Sequence, residues 1–463
     1  MMVNFMAINF CGKNRFEDMK YYDRKQELAV LQNIQKKSFE EFSKMTVMKG
    51  RRRIGKTTLG VLSMEGSDSV YLFVSRKAEA ELCAEYSDVI RQTLDEFVPQ
   101  GIVHFRDIFA LLMNIGKHRA FNLFIDEFQE FLYVTPSVYA DIQNIWDRER
   151  RKSKVNLVLS GSVYSMMEKI FKDEKQPLYG RADLTLTLEP FRTDVLREII
   201  GDYRKDYSND DLLALYCFTG GVPKYVELMM DNDCTDMESM VDYMIRPDSP
   251  FLDEGRNMLI QEFGKNYATY FSILGAIASG EVTLPQIEAM LGEKSLGGQM
   301  KILEDDYSLI RKKRPLRAKD NSKSVRYEIN DIFLRFWFRY FYKYRSWIEI
   351  KNYSALASLI KKDYPTYSGR ILEGWFRQRM VESQKYVEIG GWWHRKNGTA
   401  DISSENEIDI VAVTPSGQAY AFEVKRNRKK YSAELLKAKS QEMSRQVFGG
   451  ADVICAGLSL EDM

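Results

Sequence analysis

Cysteine is scarce in this chain, and no cysteine stands close to another. The 463 residues contain 5 cysteines, which are Cys11, Cys83, Cys217, Cys234 and Cys455. Their number is odd, and no C-x-x-C pair occurs. This pattern argues against structural zinc and suits a reducing compartment. We therefore expect a cytoplasmic protein.

Long apolar runs and an excess of one charge are also missing. No run of about 18 apolar residues occurs, which predicts no transmembrane helix and no membrane partner. The stretch Met1–Phe10 is too short and too poorly flanked for a secretory signal. Lys and Arg total 67 against 66 Asp and Glu, so the formal net charge is +1. Any indication of a nucleic-acid partner must therefore be local.

One complete phosphate-binding pattern, G-x-x-x-x-G-K-[ST], is present between a short predicted strand and a predicted helix. Its glycines permit a tight turn whose N–H groups surround phosphate oxygens, and the helix N-terminus adds partial positive charge. Lys56 is expected to reach the β- and γ-phosphates of ATP, and the Thr57 hydroxyl is expected to hold Mg²⁺. The three arginines of the loop favour a nearby polyanion or are solvated surface. The residues expected to bind the nucleotide here are Gly50, Arg51, Arg52, Arg53, Ile54, Gly55, Lys56, Thr57 and Thr58.

Two further predicted strands deliver polar residues to the same sheet edge. The apolar run Phe121–Ile125 ends in Asp126, which would contact Mg²⁺, and Glu127, which would activate or orient the attacking water. The run Val155–Leu159 ends in Ser160-Gly161-Ser162, where Ser160 would contact the γ-phosphate; a serine-rich turn is the equal alternative. Further strands are predicted at Val70–Val74 and Leu184–Leu188.

One of four arginines near these strands could be an arginine finger, in cis or across a subunit interface. Arg181 lies in a predicted loop, and we include it among the expected nucleotide-binding residues. The other three end a predicted helix that begins at Val138; they are Arg148, Arg150 and Arg151.

With these motifs the chain resembles the archaeal-type P-loop ATPases, which are related to AAA+ and STAND proteins. Pro177–Arg181 and Thr219–Tyr225 add to the resemblance. It implies a parallel sheet with a helical lid, where Tyr22–Glu27 lie near the adenine and Gly220–Tyr225 close over it. From the residues alone, Gly220-Gly221 followed by Pro223 is only a helix stop. The expected ranges are 1–190 for the ATPase core and 191–262 for the lid.

Residues 263–345 have the order of elements of a winged helix-turn-helix. Helical spacing over Tyr267–Ala278, an N-cap at Thr283 and a further helix near Leu296–Glu304 precede a predicted hairpin. The hairpin is basic, which would suit DNA phosphates; packing against another domain is the alternative. Its cations are Arg311, Lys312, Lys313, Arg314, Arg317, Lys319, Lys323 and Arg326, and the one acid between the first and the last of them is Asp320. The aromatic segment Asp331–Phe341 is predicted to lie in a core.

Residues 346–463 contain a second group of candidate catalytic residues. Glu423 and Lys425 are two apart on a predicted strand and therefore share a face, where Asp409 of a neighbouring strand can meet them. Two carboxylates would bind Mg²⁺, and the lysine would activate water or stabilise transition-state charge. Together with Glu373 on an upstream helix, this resembles the PD-(D/E)XK nucleases, although Ile408 stands where their proline is expected. A hairpin with solvated charges is the alternative.

The predicted fold is therefore α/β, with a P-loop NTPase parallel sheet, a helical lid, a winged helix-turn-helix and a small nuclease-like α/β domain. The expected activity is ATP hydrolysis coupled to a DNA-binding, nuclease-like module. The alternative is an ATP-gated switch that binds a partner without cleaving nucleic acid. An oligomer is compatible with either.

Overall fold

The structure, a computed structural model, describes residues 22–263, 267–280, 282–319, 322, 324–395 and 405–463. Met1–Phe10, Cys11, Asp320 and Lys323, named above, lie outside these ranges. The chain divides into two units, Met1–Glu189 and Pro190–Met463.

The first unit contains a five-stranded parallel sheet in the order β2-β3-β4-β1-β5. Its strands are β1 Lys44–Gly50, β2 Ser69–Phe73, β3 Phe121–Asp126, β4 Val155–Gly161 and β5 Leu184–Leu188. Its helices are α1 Lys25–Glu40, α2 Lys56–Ser63, α3 Glu79–Leu94, α4 Phe105–Ile115, α5 Phe131–Val134, α6 Val138–Glu149 and α7 Tyr164–Lys172.

The central strands of this sheet are buried on both faces. Every residue of β3 and β4 is buried, as expected for apolar strands of a parallel sheet that helices cover. β4 continues two residues beyond its predicted end, because it pairs with β1 as far as Lys49 opposite Gly161. The alternative of a serine-rich turn is therefore wrong for Ser160, which lies inside the strand and is fully buried.

The second unit contains a helical region, a hairpin and a mixed sheet. Its helices are α8 Thr193–Tyr203, α9 Asn209–Thr219, α10 Pro223–Met230, α11 Met237–Met244, α12 Glu254–Phe263, α13 Tyr267–Ser279, α14 Leu284–Leu291, α15 Gly297–Lys301, α16 Ile332–Phe336, α17 Arg345–Glu349, α18 Tyr353–Glu382 and α19 Ala433–Val447. Its strands are β6 Ile310–Lys313, β7 Arg326–Ile329, β8 Glu388–Arg395, β9 Glu405–Val413, β10 Ala419–Val424 and β11 Val453–Leu458.

The predicted helix–helix–helix–hairpin order is present in the middle of the chain. Thr283 caps α14 through a capping box with Gln286, and Gly292 ends this helix with φ 66°. The third helix is shorter than expected, since α15 passes into a π-helical turn over Ile302–Asp306. β6 and β7 then form the antiparallel hairpin.

The mixed sheet has the order β11-β10-β9-β8, with β10 and β11 parallel and the other pairs antiparallel. The 30-residue helix α18 precedes this sheet. The aromatic segment between α16 and α17 is a π-helix over Trp337–Tyr342, and most of its rings are buried, as the prediction of a core segment required. Within the described residues, no helix is both long enough and apolar enough to cross a membrane.

Candidate functional sites

The phosphate-binding loop joins β1 to α2 in the predicted manner. Gly50 has φ 153° and Gly55 has φ 89°, backbone conformations that side chains other than glycine rarely adopt. A side chain at Gly50 would come within 2.8 Å of the Leu188 carbonyl oxygen, whereas the space beside Gly55 is open. The N-terminus of α2 therefore faces an open cradle of the kind that phosphate groups occupy.

Lys56 and Thr57 begin helix α2 at this cradle. The Lys56 ammonium is buried and donates to the carbonyl oxygens of Gly50 and Arg51 at 2.8 and 3.0 Å. Thr58 beside them is exposed, Ile54 is buried in the core, and Arg51, Arg52 and Arg53 are half-buried. The structure thus places the predicted loop residues around one turn.

Asp126 lies beside Thr57 at the carboxyl end of β3. The Thr57 hydroxyl donates to Asp126 Oδ2 at 2.7 Å, and the Tyr71 hydroxyl donates to the same oxygen at 3.0 Å. Burial and the Asp126 charge raise the pKa of Tyr71, so this phenol remains a donor. A hydroxyl and a carboxylate side by side form an oxygen donor set that suits Mg²⁺. Tyr71 was missed because its contact with Asp126 crosses between strands.

Two side chains donate hydrogen bonds to Glu127: one lies directly after β4 and the other in the turn after β3. Ser162 Oγ donates to Glu127 Oε2 at 2.7 Å, and Gln129 Nε2 donates to the same oxygen at 2.5 Å. Of the two predicted serines it is therefore Ser162 that reaches Glu127, whereas the Ser160 hydroxyl is buried and bonds no described residue. Gln129, buried in a 3-10 turn after β3, was not predicted.

Gly161 provides the space that Gln129 occupies, and its substitution should be costly. A Cβ at this position would collide with Gln129 Oε1 and Met167 Sδ. We expect Gly161→Ala to lower the free energy of unfolding by about 1–3 kcal/mol, as overpacking of a buried site does. Urea denaturation measures this change. Gly201→Ala is the control, because its Cβ would meet only Tyr207 at 3.5 Å. Equal stabilities of the two variants would contradict the prediction.

The four candidate arginine fingers all have neighbours within the first unit. Arg181 pairs with Asp147 at 2.9 Å, and Arg150 pairs with Asp183 at 2.7 Å. Arg148 contacts Glu149, and Arg151 lies over the Phe42 ring. No contact singles out one of them, so the finger stays a prediction.

In the second unit, β9 and β10 bring the three predicted nuclease-like residues together. Lys425 Nζ lies 2.8 Å from Glu423 Oε1 and 3.8 Å from Asp409 Oδ2. The Val424 N–H donates to Asp409 Oδ2 at 2.7 Å and fixes that carboxylate. Both acids are largely buried, whereas Lys425 is 36% exposed.

Glu373 of α18 belongs to the same group of charges. Burial and the Asp409 carboxylate raise the pKa of Glu373 to about 8. Burial also raises the pKa of Asp409, against the opposing effects of the Val424 N–H and Lys425. Neighbouring carboxyl groups with raised pKa values are typical of catalytic sites.

Two cations of this site were not predicted. Lys439 of α19 lies 3.4 Å from Glu423 Oε2, so this carboxylate stands between two lysines. Arg377 of α18 donates to the Asp409 carbonyl oxygen at 2.8 Å, which fixes α18 against β9. Sequence spacing alone could not bring these distant positions together.

The basic hairpin is largely neutralised by carboxylates of its own unit. Arg317 pairs with Glu388 at 2.6 Å and Arg326 pairs with Glu407 at 2.6 Å, while the Leu316 N–H donates to the Gly391 carbonyl oxygen at 2.8 Å. The hairpin therefore packs against the mixed sheet. Three more of its cations pair with Glu304 or Glu328: Arg311, Lys312 and Lys313.

Two parts of the chain match known families. Residues 21–229 match a family described as "ATPase domain predominantly from Archaea". Residues 337–439 match one described as "Archaea bacterial proteins of unknown function". The second match includes Glu373, Asp409, Glu423 and Lys425.

Individual proteins resemble the chain over most of its length. An uncharacterized protein of Methanocaldococcus jannaschii is 29% identical over 415 residues, 87% of this chain and 86% of its own. A Walker-type ATPase of Pyrococcus abyssi has a TM-score of 0.52 at 18% identity, covering 69% of this chain and 96% of that one. The ORC2 protein of Aeropyrum pernix, with ADPNP and ADP, has a TM-score of 0.43 at 12% identity, covering 76% of this chain and 99% of that one; this likeness is too weak to argue from.

The parallel sheet, the phosphate-binding loop and the first family match together support a P-loop ATPase fold for residues 21–229. The winged-helix and nuclease-like assignments stay predictions.

Proposed function

We propose that the chain hydrolyses ATP with Mg²⁺ and couples turnover to a C-terminal module that binds and cleaves DNA. The observation that carries this proposal is the group formed by Asp409, Glu423 and Lys425, with Glu373 beside it, in a chain that also contains an ATPase domain. In this proposal 191–262 form the lid, 263–345 the winged helix and 346–463 the nuclease-like domain.

The ATPase chemistry follows from the positions of four side chains. Lys56 would neutralise the β- and γ-phosphates, while Thr57 and Asp126 would hold Mg²⁺, which supplies positive charge at the transferring phosphoryl group. Glu127 would orient the attacking water. Because Ser162 and Gln129 both donate to Glu127 Oε2, its other oxygen would take that role.

The nuclease-like chemistry would use two carboxylates and a lysine. Asp409 and Glu423 would hold Mg²⁺, which polarises a phosphodiester and a bound water. Lys425, 2.8 Å from Glu423, would position that water or stabilise the developing charge. Among the described residues no group of three or more His, Cys, Asp or Glu side chains is arranged to hold a metal ion. Two protein ligands would therefore leave most positions of Mg²⁺ to water and phosphate, which suits this ion.

The experiment is Mg²⁺-dependent cleavage of plasmid and single-stranded DNA, with and without ATP. Wild type is compared with Asp409→Ala, Lys56→Ala and Glu127→Gln. We expect Asp409→Ala to lose cleavage, by about 10²-fold or more, while it keeps ATP turnover, because it removes a metal ligand from one site only. Altered cleavage in Lys56→Ala would show the coupling.

The second candidate is an ATP-gated switch whose C-terminal part binds a partner without cleaving nucleic acid. The ion-paired hairpin favours it, because cations that pair with Glu304, Glu328, Glu388 and Glu407 contribute less to DNA binding. Wild type that turns over ATP but cleaves neither substrate would select this candidate.

The described cysteines are all free, which suits our expectation of a cytoplasmic location.

A further inference from the structure

A cavity of about 430 Å³ lies between the π-helical segment Trp337–Tyr342 and helix α18. The phosphate-binding loop and the nuclease-like group do not use it. Its lining is polar and aromatic: Arg339, Tyr340, Lys343, Tyr344, Leu359, Lys362, Asp363 and Thr366. The volume is within the range of small-ligand sites.

The charges of this cavity do not balance. Arg339 donates to Asp363 Oδ2 through two nitrogens at 3.0 and 2.7 Å, and Tyr340 donates to the same oxygen at 2.7 Å. Asp363 is thereby neutralised by Arg339. Lys343 and Lys362 are exposed and form no ion pair within the described part of the chain. Two positive charges therefore remain, and a matching ligand is an anion with more than one charge.

The cavity shares one face of α18 with the nuclease-like group. Lys362, Thr366, Arg370, Glu373 and Arg377 follow one another at intervals of three or four residues, which places them along one side of the helix. Lys362 and Glu373 are eleven positions apart, hence ~16 Å along the axis at about 1.5 Å per residue. A duplex strand covers this length in about five nucleotides at about 3.4 Å each.

We propose that this cavity binds the phosphate backbone of a nucleic-acid strand and aligns it with the carboxylates of the C-terminal site. This inference rests on the proposed function. Lys343 and Lys362 contact phosphate oxygens, and the Thr366 hydroxyl donates to the same backbone. The half-buried Tyr344 gives the cavity an aromatic wall beside the sugars. Recognition is independent of sequence, since it uses the backbone only.

The test is binding of a fluorescent single-stranded oligonucleotide and of the matching duplex to the full chain in EDTA. The double variant Lys343→Glu with Lys362→Glu should weaken binding about ten-fold or more and flatten the salt dependence, by about 1.4 in slope for the single strand. Lys343→Gln with Lys362→Gln removes the charges without repulsion and should weaken binding less. The control is Lys205→Glu with Lys385→Glu, two exposed lysines elsewhere in the second unit.

The outcomes separate this inference from the function on which it rests. Wild-type binding that the cavity variants leave unchanged, or that the control variant weakens equally, would overturn the inference and leave the proposed function standing. Equal affinity of wild type for a deoxyribonucleoside monophosphate and for the oligonucleotide would also overturn the inference. If wild type binds neither oligonucleotide, both the inference and the proposed DNA-binding function are refuted. Loss of cleavage in Asp409→Ala with binding retained, beside weakened binding in the cavity variants, supports both.

Discussion

Lys56→Ala should lose ATP turnover by about 10²–10³-fold or more and weaken ATP binding, because one buried ammonium serves the whole phosphate cradle. Lys56 reaches two carbonyl oxygens of the loop, so it lies where phosphate oxygens approach the N-terminus of α2. No other lysine belongs to the loop: Lys49, just before it, pairs with Glu168. Steady-state ATP hydrolysis and equilibrium binding of a fluorescent ATP analogue measure the two effects.

Lys36→Ala is the matched control, since this lysine is 71% exposed on α1 and its one ion-pair partner among the described residues is Glu40. It should leave both measurements unchanged, because such exposed pairs contribute little. ATP binding and turnover that persist in Lys56→Ala would refute the assignment of this loop as the nucleotide site.

Strands buried on both faces were the most predictable part of the fold. Phe121–Asp126 has the predicted composition and nearly the predicted end, because helices on both faces leave no room for polar alternation. The edge strand Leu184–Leu188 has its predicted ends, although it alternates leucine with exposed threonine. The end of β4 was not predictable. Ser160 and Gly161 look like a turn, and only their pairing with β1 continues the strand.

Local sequence spacing predicted the candidate catalytic residues, whereas the side chains that contact them are brought there by the tertiary fold. Asp409, Glu423 and Lys425 meet because strand periodicity places them on one face. Lys439 and Gln129 join such groups only through the tertiary fold. The hairpin cations likewise gave little indication of their partners, since Glu304, Glu388 and Glu407 lie outside the hairpin, and only Glu328 lies within it.

Glu328 is the unpredicted carboxylate whose ion pairs we expect to contribute most to stability. It lies on β7, where it pairs with Lys313 at 2.6 Å, with Arg311 at 3.1 Å and also with Arg335. Burial alone would raise its pKa, but these three cations lower the pKa well below the ordinary value. The carboxylate therefore remains charged and holds the hairpin to α16 through Arg335.

Glu328→Gln should lower the free energy of unfolding by about 3 kcal/mol, because the substitution leaves Lys313 and Arg335, both mostly shielded from water, without their partner. Urea denaturation at neutral pH measures it, followed by a probe in the second unit. Glu227→Gln is the control: Glu227 pairs with Lys224 at 2.8 Å, but both side chains are about a third exposed or more. That change should cost less than about 1 kcal/mol.

The pH dependence of this difference identifies its cause. The folded pKa of Glu328 is below its ordinary value of 4.5, so its stabilisation is complete above pH 4.5 and is lost as the pH falls towards the folded value. The stability gap between wild type and Glu328→Gln should therefore be constant near neutral pH and should narrow in acid. A gap that does not change below pH 4.5 would mean that the substitution acts through packing, and equal stability of the two proteins at neutral pH would mean that the three cations do not depend on this carboxylate.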